Sequence, residues 1–239
     1  MSITVTVADV HRMTPDVKQF RLVADDHTFD YRPGQHTAVH FESDDEEGTR
    51  PYTAATLPGT NELVLAIKRY DDGNASVYMH DRTPGDEIEI EPVDGNLHVR
   101  DFDRDAAFVA TGTGITPLYP MFKQYAAEGT GDAHLVFGER DQSHVVFRES
   151  IDQLRAEHGN VSADYVLSDA DDEAWDGRTG HVQDHLPEAL EETVGLEDTD
   201  FYVCGVPEMV VETADLLESA GVADEHIYTE GWEADAAEE

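Results

Sequence analysis

Arg50-Pro51-Tyr52-Thr53 puts three kinds of chemistry into four residues. An arginine fork can bridge a diphosphate, a phenol can stack on a flat heterocycle, and a hydroxyl can donate to or accept from a ring heteroatom. An edge strand with a surface arginine and a half-buried tyrosine would read the same way. A second string, Thr111-Gly112-Thr113-Gly114-Ile115-Thr116-Pro117, follows the apolar run Ala106-Ala107-Phe108-Val109-Ala110 and precedes a stretch with helical character through Leu118, Tyr119, Met121 and Tyr125. Glycines between a buried strand and a helix let backbone approach a diphosphate at the positive helix end. Pro117 suits a first helical turn, where its missing N–H costs nothing. The string lacks the Gly-Lys-Ser/Thr of a Walker loop, and an ordinary strand-to-helix turn is the competing reading.

Two other residues bear on chemistry. Cys204, the single cysteine, ends the run Phe201-Tyr202-Val203-Cys204 and precedes Gly205-Val206-Pro207. That places it at the carboxyl edge of a parallel strand, where open α/β sheets bind ligands. The competing reading is a small buried hydrophobe. After His134-Leu135-Val136-Phe137-Gly138, Glu139 offers an acceptor for ribose hydroxyls, and Arg140 a partner for a 2′-phosphate. One cysteine excludes an internal disulfide and a four-cysteine cluster built from this chain alone. His181 and His185 are four apart, but no third ligand is evident, so no metal site is expected. No Gly-x-Ser-x-Gly elbow surrounds Ser76 or Ser168.

The elements that must carry these residues change character along the chain. Up to about residue 100, period-two runs (Ile3 to Val7, Val17 to Leu22, Leu63 to Ile67, Glu87 to Ile90) alternate with turn signals such as Pro33-Gly34, Pro58-Gly59, Asp72-Gly73 and Pro84-Gly85. Short strands at this spacing predict a small antiparallel β-barrel. From about residue 104, continuous apolar strands alternate with helices, best seen over 147–158 and 208–220. That pattern predicts an α/β domain with a parallel sheet covered on both faces. The expected domains are therefore 1–100 and 104–239, with Arg100-Asp101-Phe102-Asp103-Arg104 as a charged linker.

Charge narrows the partners. Fifteen Lys plus Arg stand against 53 Asp plus Glu, a formal charge of −38. Nucleic acid phosphates and anionic lipid would be repelled. Three lysines (Lys18, Lys68, Lys123) against twelve arginines resemble a halophilic composition, in which salt at a Debye length of about 3 Å or less removes self-repulsion. The 239 residues with 39% hydrophobic content suffice for two cores. The N-terminus has no basic stretch before an apolar one. No apolar run approaches the roughly 20 residues of a membrane span, so a soluble protein is expected. The single cysteine points to the reducing cytoplasm, and a monomer or weak oligomer is expected.

Taken together and in order, these strings resemble the ferredoxin–NADP reductase superfamily over almost the whole length. The resemblance implies an N-terminal FAD-binding barrel and a C-terminal nucleotide domain. Arg50, Tyr52 and Thr53 fall on its Arg-x-Tyr-Ser/Thr motif, implying diphosphate, ring-stacking and flavin N5 or O4 contacts. Pro51 lies within that motif. Pro33-Gly34-Gln35 resembles its strand-entry turn, and Pro92 to Leu97 its barrel-closing turn. Ile67-Lys68-Arg69 with Gly73-Asn74-Ala75-Ser76 resembles its second flavin segment, where backbone amides and Ser76 would hold phosphate. Thr111, Gly112, Gly114, Thr116 and Pro117 match its nicotinamide-cofactor loop, and Cys204 with Gly205 its Cys-Gly-x-Pro segment, implying that Cys204 approaches the nicotinamide. Ile227-Tyr228-Thr229-Glu230-Gly231-Trp232 resembles its last strand, with Glu230 and Trp232 near the flavin ring. Seven residues follow Trp232, which leaves covering the ring and packing elsewhere both open. Arg178 resembles an arginine near the 2′-phosphate in bacterial relatives, and NADP is expected over NAD.

The activity implied is electron movement between NAD(P)H and a one-electron carrier, ferredoxin or flavodoxin, through FAD. Thr53, Cys204 and Glu230 are the residues implied at the reacting atoms. The alternatives are the reductase component of an oxygenase or other multi-subunit complex and, from another class, a non-catalytic regulatory or binding module on the same fold.

Overall fold

The computed structural model describes residues 2–42, 47–170, 175–191, 194–196 and 198–231. The chain divides into two compact units, Met1–His98 and Val99–Glu239. Trp232, the acidic tail beyond it and most of the acidic 43–48 stretch lie outside the described residues.

The first unit is one antiparallel sheet of six strands: β1 (Ile3–Arg12), β2 (Val17–Val23), β3 (His36–Glu42), β4 (Glu47–Thr53), β5 (Glu62–Lys68) and β6 (Glu87–Ile90). Their spatial order is β4-β3-β6-β1-β2-β5. The period-two runs determine the register. Val7 lies opposite Leu22 and Val5 opposite Ile88, and all four are buried. Phe20, Leu63, Leu65, Ile67 and Ile90 complete this core. Truncating one of them, Phe20→Ala for example, would cost about 3–5 kcal/mol. The two ends of the sheet meet through a bridge between Ala54 and Leu65 and a 2.8 Å bond from Ala55 N–H to Val64 O, which curls the sheet into a barrel. Proline followed by glycine makes its tight turns. In Thr83-Pro84-Gly85-Asp86 the Asp86 N–H bonds Thr83 O at 3.1 Å, and Gly85 takes φ 101°, a value that a side chain would strain. A short helix, α1 (Asn74–His80), follows β5.

The second unit is a parallel six-stranded sheet, built from β7 (Asp105–Thr111), β8 (Ala133–Glu139), β9 (Val161–Leu167), β10 (Arg178–Thr179), β11 (Thr199–Gly205) and β12 (Ile227–Gly231). The order is β10-β9-β8-β7-β11-β12. The strands are apolar throughout because helices cover both faces. Ala107, Val109, Val136 and Val203 pack against α4 (Val182–Glu191) and α5 (Pro207–Ser219). On the other face Phe108 meets Phe122 and Tyr125 of α2 (Ile115–Glu128) edge-on. Beyond it, α3 (Arg148–Glu157) lies along β9, where Tyr165 Oη reaches Asp152 at 3.1 Å.

The charged stretch at the boundary, residues 100–104, is fastened to the second unit. Arg104 Nε lies 3.0 Å from the carboxylate of Asp200, which is 2% exposed and also takes His226 Nδ1 at 2.8 Å. Arg100 N–H donates to Tyr202 Oη at 2.8 Å, and Thr130 N–H donates to Phe102 O at 2.8 Å. A buried carboxylate needs a paired cation, and that need holds the charged segment down.

Candidate functional site

In the first unit, β4 pairs with β3 so that Arg50, Tyr52 and Thr53 face Val39, Thr37 and His36 across the ladder. The Arg50 guanidinium lies over the Phe41 ring at 5.9 Å and donates to Thr49 O at 3.3 Å. Pro51 sits opposite Ala38, where a strand at the ladder's end tolerates its missing N–H. Tyr52 is half-buried; burial pushes its phenol up to about 12, with the nearby Arg50 charge acting against that rise. Thr53 is 4% exposed, and its hydroxyl has no hydrogen-bond partner among the described residues. A buried hydroxyl left unpaired costs about 1–3 kcal/mol. A ligand heteroatom would relieve that cost.

Past the end of β5, Lys68 Nζ lies 5.9 Å from the ring of Tyr70 and 3.4 Å from Asp16. Tyr70 is 51% exposed and close enough to Tyr52 to contribute to its raised pKa. Tyr70 carries no motif of its own in the sequence, yet continuing the strand's alternation from Lys68 marks it. Gly73 turns the chain into α1, and a Cβ there would meet Ser76 Oγ at 2.7 Å. The Ser76 hydroxyl, expected to hold phosphate, is instead buried and taken up by its own turn. It accepts from Tyr70 N–H at 3.0 Å and lies within 3.0 and 3.2 Å of the carbonyls of Gly73 and Tyr70. Asn74 and Ala75 form the start of α1 beside it. Ile67 lies in the core, and its carbonyl is 2.8 Å from His80 Nε2, which leaves its side chain no route to a ligand.

In the second unit, strands β7, β8, β9 and β10 are laid down outward in one direction, and the chain then returns to place β11 on the other side of β7. The crevice between β7 and β11 is thus the switch point where such sheets bind ligands. The sequence-expected residues gather there. Gly112 takes φ 55° at the tip of a 3₁₀ turn, and a Cβ on it would meet nothing within 4 Å, so this backbone lies open. A Cβ on Gly114 would overlap the carbonyl of Cys204, and one on Gly205 would overlap Thr111 Oγ1. Val206 N–H reaches that Thr111 oxygen at 3.3 Å. Thr116 Oγ1 donates to Thr113 O at 2.8 Å, and Pro117 is buried in the first turn of α2. Glycines, in short, are what let the two loops touch.

Cys204 is buried and lies in register with Ala110 on β7 and Glu230 on β12. Glu230 is half-buried, and burial raises its pKa, favouring the neutral acid. Val206, which the sequence reading did not single out, is 57% exposed between Gly205 and α5, an unusual exposure for an apolar side chain at a sheet edge.

At the end of β8 the two selectivity candidates differ from the third. Arg140 is exposed, its backbone N–H bonds the Glu139 carboxylate at 3.0 Å, and its guanidinium lies 3.3 Å from Asp141 and 2.5 Å from His144 Nε2. Hydrogen bonds from His144 and Ser143 hold the Asp141 carboxyl far below its usual range. Arg178 instead braces β10, with Asp164 at 3.2 Å and Glu188 of α4 at 3.0 Å. A 2′-phosphate there would have to displace two carboxylates. His185 Nε2 lies 2.7 Å from Thr179 O. No described helix is long and apolar enough to cross a membrane.

Comparison with known proteins agrees with this geometry. Residues 4–99 match the oxidoreductase FAD-binding domain and residues 108–215 the oxidoreductase NAD-binding domain. The chain is 30% identical, over 94% of its length and 95% of the relative's, to ferredoxin–NADP reductase B of Sorangium cellulosum. It is 26% identical to the anthranilate 1,2-dioxygenase electron transfer component of Acinetobacter baylyi, over 96% of this chain and 67% of that one. The flavohem-like FAD/NAD binding domain of nitric oxide dioxygenase from Vibrio cholerae superposes with a TM-score of 0.86 at 22% identity, covering 96% of this chain and 98% of that one. An FAD-binding barrel followed by an NAD-binding parallel sheet defines a flavin-dependent NAD(P)H oxidoreductase that moves electrons between NAD(P)H and a carrier. The chain belongs to the ferredoxin–NADP reductase family.

Proposed function

We propose that this oxidoreductase is an NADPH-preferring reductase of a separate one-electron carrier, ferredoxin or flavodoxin. Its residues to about 100 hold FAD and those from about 104 hold the nicotinamide cofactor. Bound FAD supplies the step from hydride to single electrons; the protein supplies binding and orientation. Arg50 pairs with the FAD diphosphate, Tyr52 and Tyr70 flank flat rings, and Thr53 gives its hydroxyl to the flavin edge. The unpartnered, buried Thr53 hydroxyl is the observation that carries this reading. Backbone amides of Asn74 and Ala75 take the phosphate role, because Ser76 and the Gly73 N–H are already engaged by their own turn. Lys68 adds charge nearby.

The open backbone at Gly112 with Thr111, Gly114, Thr116 and Pro117 supports a nicotinamide-cofactor diphosphate at the head of α2. Cys204, Gly205 and Glu230 border the nicotinamide end. Exposed Arg140, not the braced Arg178, is the residue for the 2′-phosphate; Glu139 serves the ribose hydroxyls. Arg140→Ala should lower kcat/KM for NADPH about tenfold or more and leave NADH nearly unchanged. Equal loss for both would remove the assignment.

The acidic, arginine-dominated composition supports a protein working in molar salt inside the cell. Purified in such salt, it should be yellow and bleach anaerobically with NADPH, then reduce added ferredoxin or flavodoxin. Colourless protein that cannot be reconstituted with FAD would overturn the reading. The likeness to a dioxygenase electron transfer component supports a second reading, service to an oxygenase. Bleaching without reduction of either carrier, together with a co-purifying oxygenase subunit, would favour it.

A further inference from the structure

At one end of the first unit, a cavity of about 280 Å³ is lined by residues from three stretches of the chain. Arg12 comes from the end of β1, Asp16 from the turn before β2, Lys18 from β2, Arg69 and Asp71 from the chain just past β5, and His80 from the end of α1. Across the chain carboxylates outnumber Lys plus Arg by 53 to 15. In this cavity the order reverses, with three cations against two carboxylates. Asp16 lies 3.4 Å from Lys68 and accepts from Thr14 Oγ1 at 2.9 Å, and the fully exposed Asp71 pairs with Arg69 at 3.5 Å. Arg12 and Lys18 bond main-chain carbonyls, Pro15 O at 3.3 Å and His80 O at 2.7 Å, and neither pairs with a carboxylate among the described residues.

Three like charges around one hollow repel each other, and a further anion there would offset what the two carboxylates leave uncompensated. Their mutual presence is felt at His80, whose pKa is lowered first by burial and further by Lys18, Arg69 and Arg12, against the opposing bond to Ile67 O. The volume lies just below the range of about 300–1,000 Å³ typical of cofactor and drug-sized ligands, and it is ample for a small polyatomic ion. Two guanidinium forks and an ammonium match the oxygens of a tetrahedral oxyanion.

We propose that this cavity is a binding site for a small phosphate-type oxyanion, held by Arg12, Lys18 and Arg69. Arg69 follows directly on Lys68, and Asp16 of the cavity wall lies 3.4 Å from Lys68, so the cavity borders the flavin segment. An anion here would tie the β1–β2 turn to the end of β5.

The test is calorimetric titration of sodium phosphate into the FAD-loaded full chain, with ionic strength held constant by sodium chloride. One saturable site is expected, weakened at least tenfold by Arg12→Gln and by Arg69→Gln and unchanged by Arg140→Ala. Phosphate should also raise the melting temperature of the wild type and not that of Arg12→Gln, whose flavin content and NADPH oxidation should match the wild type. Absence of saturation, an equal signal from chloride alone, or undiminished binding by folded, yellow Arg12→Gln would overturn the proposal.

Discussion

Thr53 and Ser76 are both buried hydroxyls in the barrel unit, yet they differ in their partners. Ser76 is satisfied by the backbone of its own turn, whereas Thr53 has no partner among the described residues. The distinction gives a test with two opposite signs. Thr53→Val removes an unpaired buried polar group without changing shape much, so flavin-free protein should be unchanged or up to about 1 kcal/mol more stable by thermal unfolding. The same variant should lose at least tenfold in NADPH-driven flavin reduction if the hydroxyl contacts the flavin edge. A destabilised apo-protein would mean that Thr53 has a structural partner after all. The residue types at Arg50, Tyr52 and Thr53 were legible in the sequence. Which hydroxyl stood unpaired was not, because hydrogen-bond satisfaction depends on where neighbouring backbone atoms fall.

The loops after β7 and β11 work as one element, since each supplies the glycine that lets the other approach. Gly114→Ala would drive a methyl into the Cys204 carbonyl, and overpacking of this kind costs about 1–3 kcal/mol. The expected phenotype is a KM for NADPH raised tenfold or more with flavin content unchanged. An unaltered KM would show that the 3₁₀ turn does not form the nucleotide cradle. The glycines themselves were readable from the strand-glycine-helix pattern. Their partners were not, since Gly114 meets a residue ninety positions away through the parallel pairing of β7 with β11. The same holds for residues 100–104. Locally they look like a charged linker, but Asp200, brought alongside by β11, turns Arg104 into an anchor. The two-residue β10 carries no periodic signal at all, and it is this pairing that directs Arg178 toward Asp164 and away from a ligand role.

At the scale of the whole molecule, a charge of −38 on 239 residues opposes compaction by self-repulsion. The Debye length falls from about 10 Å at 0.1 M salt to about 3 Å at 1 M. Melting temperature should therefore rise by several degrees or more between 0.1 and 3 M potassium chloride, most steeply at the low end. A flat or falling profile would remove salt adaptation as the reason for the composition. The sequence by itself determined the antiparallel and parallel halves and marked the candidate residues for a flavin and a dinucleotide, because strand alternation, apolar runs and glycine turns are local properties of the chain. The tertiary structure alone decided how those residues are buried and partnered. Exposed Arg140 was separated from braced Arg178, unpaired Thr53 from engaged Ser76, and three scattered cations were gathered into one cavity. Each outcome depends on burial and on partners far away in sequence, and only the folded chain brings those together.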